Sequence, residues 1–295
     1  MNAPFTFADA AAAAAILPRI DRREAEAEAD FLHDLAARDA SIRALLLDGT
    51  PAGVVQTLRG RNAFLYVYLL PPFRGRGLGR EAASLLEEEL RRGGAETIVT
   101  AWPAENGRAA AFAEKLGWHR TFRSACMVYD GGLLSLGEVP VRQYRDGDYD
   151  EAHALYADAF YRMRLSVGDF PHPAPRPPSG EERRRWAETA ADRLVWQEGD
   201  ELAAYVHLEP PEIASVAVKP ALQGRGIGRR LVTYLVNDLL SRGHREVRLW
   251  CVVGNEPARR LYDSLGFRET VRTAYAEKTV FTDAPAKREE ELLCS

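Results

Sequence analysis

Two glycine-arginine loops are the part of this sequence with the clearest chemistry. Residues 74–79 read RGRGLG, and residues 223–228 read QGRGIG. Each loop follows an apolar run typical of a strand and precedes an amphipathic pattern typical of a helix. A loop of this kind exposes backbone N–H groups at a helix N-terminus, where they bind an anionic phosphate group. The sequence therefore predicts two phosphate-binding sites.

The two loops belong to a duplication of the sequence. Each is followed 32 positions later by an asparagine, Asn106 after Arg74 and Asn255 after Gln223. At the same offset of 149 positions, Gly117 in Leu-Gly-Trp corresponds to Gly266 in Leu-Gly-Phe. A repeat of this length is a whole domain rather than a solenoid unit. We therefore expect two domains, at 1–133 and 134–282, and a flexible tail at 283–295.

Composition excludes several classes of protein. The net charge of −4 disfavours a nucleic-acid-binding protein, and no segment approaches the ~20 apolar residues of a membrane span. Cys126, Cys251 and Cys294 are too few and too scattered for a disulfide framework or a zinc site. We expect a cytoplasmic protein, monomeric or homodimeric, without a metal, nucleic-acid or membrane partner.

Both halves show the same order of predicted elements: strand, helices, three strands, helix, strand, helix, strand. This order predicts an α+β (mixed α/β) fold with a mostly antiparallel central sheet flanked by helices. The segment from each loop to the next strand predicts two neighbouring parallel strands, with the helix N-terminus at their C-terminal edge. A further helix is expected near 31–38, and the proline-rich stretch 171–178 predicts a stiff loop.

The loops match neither of two common phosphate motifs. Arg80 and Arg229 stand where a dinucleotide fingerprint needs glycine, and no Gly-Lys-Ser/Thr follows. Arg/Gln-x-x-Gly-x-Gly after a strand resembles instead the acyl-CoA-binding motif of the GCN5-related N-acetyltransferases, the GNAT superfamily. The likeness spans residues 40–129 and 139–280, is closer in the second half, and has a layout similar to the mycothiol synthase group. The matching residues are Arg74, Gly77 and Gly79, then Gln223, Gly226 and Gly228, with Asn255, Tyr262 and residues 265–267 downstream.

The resemblance implies two tandem GNAT-like domains with acetyl-CoA (CoA) as donor. The loop amides would hold the CoA pyrophosphate, Val218 N–H would polarise the thioester carbonyl, and Asn255 would bind the pantetheine arm. The CoA contacts implied in the second half are Val216, Ala217, Val218, Gln223, Gly224, Arg225, Gly226, Ile227, Gly228, Arg229, Asn255 and Arg259. Those implied in the first half are Leu69, Arg74, Gly75, Arg76, Gly77, Leu78, Gly79 and Arg80.

Acetyl transfer to an amine needs a base for the ammonium proton and an acid for the departing thiolate. Tyr262 lies where the family often places the acid, and it follows Asn255 by seven residues, on one side of a helix. The alternative is a packed aromatic without a catalytic role. Glu212 is the preferred base, ahead of Glu209 and His207; each is equally explained as a solvated strand-end residue, and a water relay is a further option.

The two halves differ at these positions. At offset 149, Tyr262 corresponds to Ala113, Glu212 to Ala63 and Glu209 to Gly60. The first domain is therefore predicted to be catalytically degenerate, either a binding-competent copy or a structural one. We expect an N-acetyltransferase acting on a small-molecule or peptide primary amine from its second domain. The open alternative is a non-catalytic acyl-CoA-binding sensor or scaffold.

Overall fold

The computed structural model describes residues 5–20, 41–168 and 177–280. The chain forms two compact units, unit 1 from residues up to 120 together with those from 275 onwards, and unit 2 from 121–274. The predicted helix near 31–38, residues 171–176 of the proline-rich loop and the tail after 282 lie outside the described residues.

The sheet of unit 1 contains five consecutive strands. They are β1 (Phe5–Ala8), β2 (Ser41–Leu47), β3 (Thr50–Leu58), β4 (Asn62–Leu69) and β5 (Thr97–Pro103). Strands β1 to β4 pair antiparallel in sequence order, and β5 pairs parallel to β4. The helices are α1 (Ala10–Ile16), α2 (Leu78–Arg92) and α3 (Gly107–Lys115).

Helix α2 shows why these residues fold as they do. Leu78, Ala82, Leu86 and Leu90 recur every four residues and are buried, as expected for a helix that packs one face against a sheet. Leu78 and Ala82 join Leu45 of β2 in a buried cluster. The N-terminus of α2 is thereby fixed at the end of β4.

Unit 2 repeats this arrangement. Its strands are β6 (His119–Tyr129), β7 (Val141–Gln143), β8 (Arg193–Glu198), β9 (Glu201–Glu209), β10 (Glu212–Val218), β11 (Val247–Val252) and β12 (Arg268–Thr279). Strands β7 to β10 pair antiparallel in sequence order, β10 and β11 pair parallel, and β11 pairs antiparallel with β6. The helices are α4 (Tyr149–Val167), α5 (Gly180–Glu188), α6 (Ile227–Ser241) and α7 (Glu256–Leu265). The predicted fold class is confirmed.

The last strand of each sequence repeat extends into the unit of the other repeat: most of β6 lies in unit 2, and the end of β12 lies in unit 1. β6 pairs with β11 in unit 2 from Ser124 to Tyr129, because its buried side chains pack into the core of that unit. The end of β12 belongs to unit 1, where Lys278 Nζ donates to Glu87 Oε2 of α2 at 2.7 Å. The predicted boundary at 133/134 thus describes the duplication in sequence, whereas the compact units divide at 120 and 274.

The described residues contain neither a membrane-spanning helix nor a cluster of metal-ligating side chains. Across 5–20, 41–168 and 177–280, no helix is both long and apolar enough to cross a membrane. In those same ranges, no three His, Cys, Asp or Glu side chains gather in a way that would hold a metal ion.

Candidate active site

Each unit contains a pair of parallel strands that separate after a short paired stretch. In unit 2, β10 and β11 pair only at Glu212–Arg248 and Ile213–Leu249. In unit 1, β4 and β5 pair from Asn62–Thr97 to Phe64–Val99. Beyond these pairs the strands diverge, so the remainder of β4 and β10 presents backbone groups to a gap. Such an edge can form main-chain hydrogen bonds with an extended ligand.

The register identifies which backbone groups face the gap. Lys219 N–H donates to Ala203 O at 2.8 Å, and Val218 lies opposite Ala204 on β9. Because hydrogen-bonding direction alternates along an antiparallel strand, the N–H groups of Val218 and Val216 point away from β9 and into the gap. In unit 1, Leu70 N–H donates to Ala52 O at 2.9 Å, which directs the Leu69 N–H into its gap in the same way.

The glycine loops follow these strands and start the next helix in both units. Gly77 and Gly226 occupy the residue before α2 and α6 in left-handed conformations, with φ of 85° and 81°. Gly75 and Gly224 also have positive φ, 76° in both cases. Residues with a Cβ rarely adopt this conformation. The four glycines therefore allow the loop to turn its N–H groups toward one point at the helix N-terminus.

A third glycine in each loop keeps the helix close to its neighbours. A Cβ added at Gly79 would lie 3.3 Å from Leu69 Cδ1 and 3.3 Å from Phe112 Cζ. A Cβ added at Gly228 would lie 3.5 Å from Leu261 Cδ2 and also contact Val218. These neighbours correspond at offset 149, so the duplication persists in three dimensions.

The first residue of each loop has a structural contact that the sequence does not reveal. Arg74 Nε donates to Leu69 O at 2.8 Å, and Gln223 Nε2 donates to Val218 O at 3.1 Å. Arginine and glutamine thus perform the same task, which is to hold the strand end against the loop. The two carbonyl oxygens that accept these hydrogen bonds belong to Leu69 and Val218, the residues whose N–H groups face the gap.

The arginines among the predicted CoA contacts differ in their exposure and in the side chains that they contact. Arg225 and Arg76 are exposed on the loops, and Arg80 is exposed on the first turn of α2. Arg229 donates to Ser264 Oγ at 2.5 Å. Arg259 forms ion pairs with Glu269 at 2.6 Å and Asp263 at 3.4 Å.

Asn255 caps α7, and its counterpart Asn106 caps α3. Asn255 Oδ1 accepts a hydrogen bond from Ala258 N at 3.4 Å, and Asn106 Oδ1 accepts one from Ala109 N at 3.1 Å. The carbonyl oxygen of each amide thus satisfies a free helix N–H. For a ligand, Asn255 offers the N–H groups of its amide as donors.

Tyr262 lies beside Cys251 in unit 2. The Tyr262 side chain packs against the buried core, with its ring 5.8 Å from that of Phe267. Burial raises the pKa of Tyr262 well above that of an ordinary tyrosine, with a smaller contribution from Cys251. The side chain as a whole is only half-buried, so the rise in pKa reflects the apolar surroundings of the hydroxyl. The phenol is protonated at neutral pH, as a general acid must be.

Cys251 is 4% exposed in β11. Burial raises the pKa of its thiol to about 11, so it is a neutral thiol at neutral pH and a poor nucleophile. Because Arg248 pairs with Glu212, Cys251 is level with Ser215 and Val216 across the gap. Tyr262 packs against the same buried cluster as Cys251.

A β-bulge in β10 separates the carboxylates from the residues that face the gap. The register with β9 shifts between Ile213 and Ser215, which leaves Ala214 as the extra residue. On the N-terminal side of the bulge, Glu212 lies directly opposite Glu209. On its C-terminal side, Ser215 lies opposite His207. Bulges re-aim side chains and are common next to active sites. The pairing of β4 with β3 has no such shift.

The bulge corrects two of the sequence-based correspondences. Through the strand pairings, Glu212 matches Phe64 and not Ala63, and Glu209 matches Leu58 and not Gly60. A constant offset of 149 is wrong here because the bulge adds one residue and the turns between the strands differ in length. The conclusion that unit 1 has no carboxylate at either position is unchanged.

Unit 1 contains a cavity of about 530 Å³ at its gap. The cavity extends from the loop and α2 through both strands of the gap to α3. Six residues of its lining belong to the predicted CoA contacts: Leu69, Arg74, Gly75, Gly77, Gly79 and Arg80. Trp102 and Ala113, the counterparts of Cys251 and Tyr262, also line it.

Comparison with known proteins links this geometry to one family. The acetyltransferase (GNAT) family matches residues 10–118 and 149–267, one match in each half of the chain. The mycothiol acetyltransferase of Acidothermus cellulolyticus is 30% identical over 230 residues, which cover 68% of this chain and 66% of that protein. The mycothiol acetyltransferase of Nocardia farcinica is 28% identical over 296 residues, covering 88% of this chain and 95% of that protein.

A solved structure shows the same fold along the chain. The GCN5-related N-acetyltransferase from Sphaerobacter thermophilus superposes with a TM-score of 0.69 at 24% identity, and the match covers 94% of this chain and 96% of that one. The whole described architecture, and not one half of it, therefore resembles a known fold.

Proposed function

The chain belongs to the GNAT family of acetyltransferases, and we propose that its unit 2 transfers an acetyl group from acetyl-CoA to a primary amine. It is an acyltransferase with a tandem layout like that of mycothiol synthase. The observation that supports the proposal is the open edge of β10, with three kinds of group placed along it or near it. These are the carboxylate of Glu212, the N–H groups facing the gap, and the protonated phenol of Tyr262.

The residues of unit 2 suit the donor. The N–H groups of residues 224–229, at the start of α6, would hold the pyrophosphate, with Arg225 and Arg229 beside them. Val216 and Val218 would pair with the pantetheine arm through their N–H groups, and Asn255 would donate to it. Acetyl-CoA supplies the acetyl group as an activated thioester.

We assign the donor to the thioester carbonyl to Val216 rather than Val218. Cys251 contributes to the raised pKa of Tyr262 and is level with Ser215 and Val216. Along an extended strand of ~3.3 Å per residue, Glu212 is roughly 20 Å from Val218 but only about 13 Å from Val216. The amine of the acceptor and a bridging water span the shorter distance more readily than the longer one.

The proposed reaction then assigns one proton movement to each group. Glu212, directly or through water, accepts a proton from the ammonium group so that the amine nitrogen can attack the carbonyl carbon. Val216 N–H donates a hydrogen bond to the carbonyl oxygen while negative charge develops on it. Tyr262 donates its proton to the sulfur as the C–S bond breaks. The nitrogen, which carries a positive charge after its attack, then gives a proton back to the phenolate. Glu209 is the second candidate for the base, since it faces Glu212 across the strand pair.

The acceptor is proposed as a small molecule with a primary amine, because the relatives with the longest matches are named as mycothiol acetyltransferases. Thiol release from acetyl-CoA in the presence of a panel of amines tests the proposal. We expect release that depends on one class of amine, with matching formation of the N-acetylated product. Tight acetyl-CoA binding without release for any amine would favour the sensor function instead.

A further inference from the structure

The cavity of unit 1 reaches both faces of its sheet. Successive residues of a strand point to opposite faces, and residues 65–69 of β4 all line the cavity. Val67 and Leu69 pack on the side of α2. Tyr68 lies opposite Val54, which packs with Ile20 on the side of α1. The cavity therefore passes through the gap between β4 and β5.

At four matched positions on the far side of this gap, the side chains of unit 1 are larger and more apolar than those of unit 2. Strand pairings match the two units residue by residue. The matched residues, with unit 2 first, are Glu209 and Leu58, Glu212 and Phe64, Ser215 and Tyr66, and Ala217 and Tyr68. The four residues of unit 1 pack together in one cluster with Ala101 and Tyr275. Where unit 2 has its candidate bases, unit 1 has an aromatic wall.

The side chains lining the cavity of unit 1 suit binding and not transfer. Within 5–20, 41–168 and 177–280, the lining includes no carboxylate and no imidazole, so none of these side chains takes a proton from an ammonium group at neutral pH. Ala113 replaces Tyr262, which removes the acid and leaves space beside Trp102. The rings of Tyr66 and Tyr68 are parallel, with centroids 6.2 Å apart. Tyr66 is 1% exposed and supports Tyr68 from within the core, whereas the ring of Tyr68 is partly exposed and offers an apolar surface to a ligand.

We propose that unit 1 binds a CoA thioester whose apolar acyl chain passes between β4 and β5, packs on Tyr68, and is not transferred. The proposal rests on the proposed role of residues 74–80 in holding the pyrophosphate. We expect a CoA thioester with several carbons in its acyl chain. The aromatic cluster that contains Tyr68 lies beyond the gap, and we expect an acetyl group to be too short to reach it.

Calorimetric titration of the full chain tests this proposal after the loop of unit 2 is disabled. The double variant Gly224→Val/Gly226→Val places β-branched residues at two positive-φ positions of that loop. Titrants are CoA, acetyl-CoA and hexanoyl-CoA. We expect one binding site with affinity at least about tenfold higher for hexanoyl-CoA than for acetyl-CoA, because each buried methylene contributes up to about fourfold. Trp102 and Trp118 line the cavity, so their fluorescence should change with the same midpoint.

Two further variants locate the site. Adding Gly75→Val/Gly77→Val to the disabled chain should remove the remaining binding. Tyr68→Ala should reduce the preference for hexanoyl-CoA and leave the affinity for CoA within about twofold. Absence of binding in the disabled chain, or equal affinities for acetyl-CoA and hexanoyl-CoA, would overturn the proposal.

The design separates this proposal from the proposed reaction. Thiol release by the unsubstituted chain reports on unit 2 and is measured independently. If the disabled chain does not fold by circular dichroism, the titration is repeated on Tyr262→Phe, where two binding events are expected. The event with the chain-length preference must then disappear with Gly75→Val/Gly77→Val, and its persistence would contradict the assignment to unit 1.

Discussion

Units 1 and 2 form the same gap from backbone and surround it with different side chains. In both, a strand end, three loop glycines and a capping asparagine are arranged alike. The differences lie in the bulge of β10 and in a few side chains at the gap: carboxylates and a phenol in unit 2, aromatics and an alanine in unit 1. A duplicated domain can therefore keep its main-chain binding geometry while losing proton transfer, because the two depend on different atoms.

The strongest test of this difference is Tyr262→Phe. We expect kcat to fall by about 10²–10⁴-fold, because the phenol is the acid for the departing sulfur. Tyr234→Phe is the matched control, since Tyr234 is also half-buried in unit 2 with a pKa raised by burial. Thiol release at saturating substrate measures both. Similar losses in the two variants would mean that Tyr262 acts through packing alone.

Glu212→Gln tests the base. We expect kcat/KM at neutral pH to fall on the order of 10²-fold, since the amide cannot accept the ammonium proton. Glu209→Gln should cost less than about fivefold. Raising the pH, which deprotonates the amine without a base, should restore part of the activity of Glu212→Gln. A larger loss in Glu209→Gln would reverse the two assignments.

The loops provide a direct comparison of the units. Gly224→Val/Gly226→Val should raise KM for acetyl-CoA by roughly 10–100-fold, because a left-handed conformation costs a residue with a Cβ about 1–2 kcal/mol. Gly75→Val/Gly77→Val should change KM by less than about twofold. Steady-state kinetics on both double variants decides the point, and equal losses would show that transfer needs both loops.

The first turns of the two helices differ in charge, which predicts a smaller effect. Glu81 lies in the first turn of α2 and Arg230 in the first turn of α6. A carboxylate there opposes a bound phosphate. Glu81→Gln, measured in the chain with the disabled second loop, should tighten CoA binding about two- to fivefold. Glu88→Gln, seven residues further along α2, should leave it unchanged.

The pH profile tests the state of Tyr262 with the smallest expected change. Burial raises the pKa of its phenol, so the acid remains protonated below the ordinary tyrosine value of about 10. The activity should therefore show less than about twofold decline from pH 8 to 9.5. A decline with a midpoint near pH 8 would require another acid, and Cys251, with a pKa of about 11, would not explain it.

Much of the candidate site was predictable because its signals are local. The αL glycines, the capping asparagines and the tyrosine two helical turns later are read from adjacent residues, as are the helices that position them. The side-chain contacts of Arg74, Gln223 and Arg259 were not predictable. Each depends on a partner, such as the carbonyl oxygen of Val218 or the carboxylate of Glu269, that the fold brings near.

The sequence by itself determined the duplication, the two loops and the fold class, because each follows from local periodicity and fixed spacing, and the resemblance of its loop motifs indicated the family. Only the tertiary structure decided which residues face each other across the sheets. The bulge at Ala214 and the pairing of β6 with β11 are matters of hydrogen-bond register between distant segments. A register is set by which buried faces pack together, and no constant offset along the chain encodes it.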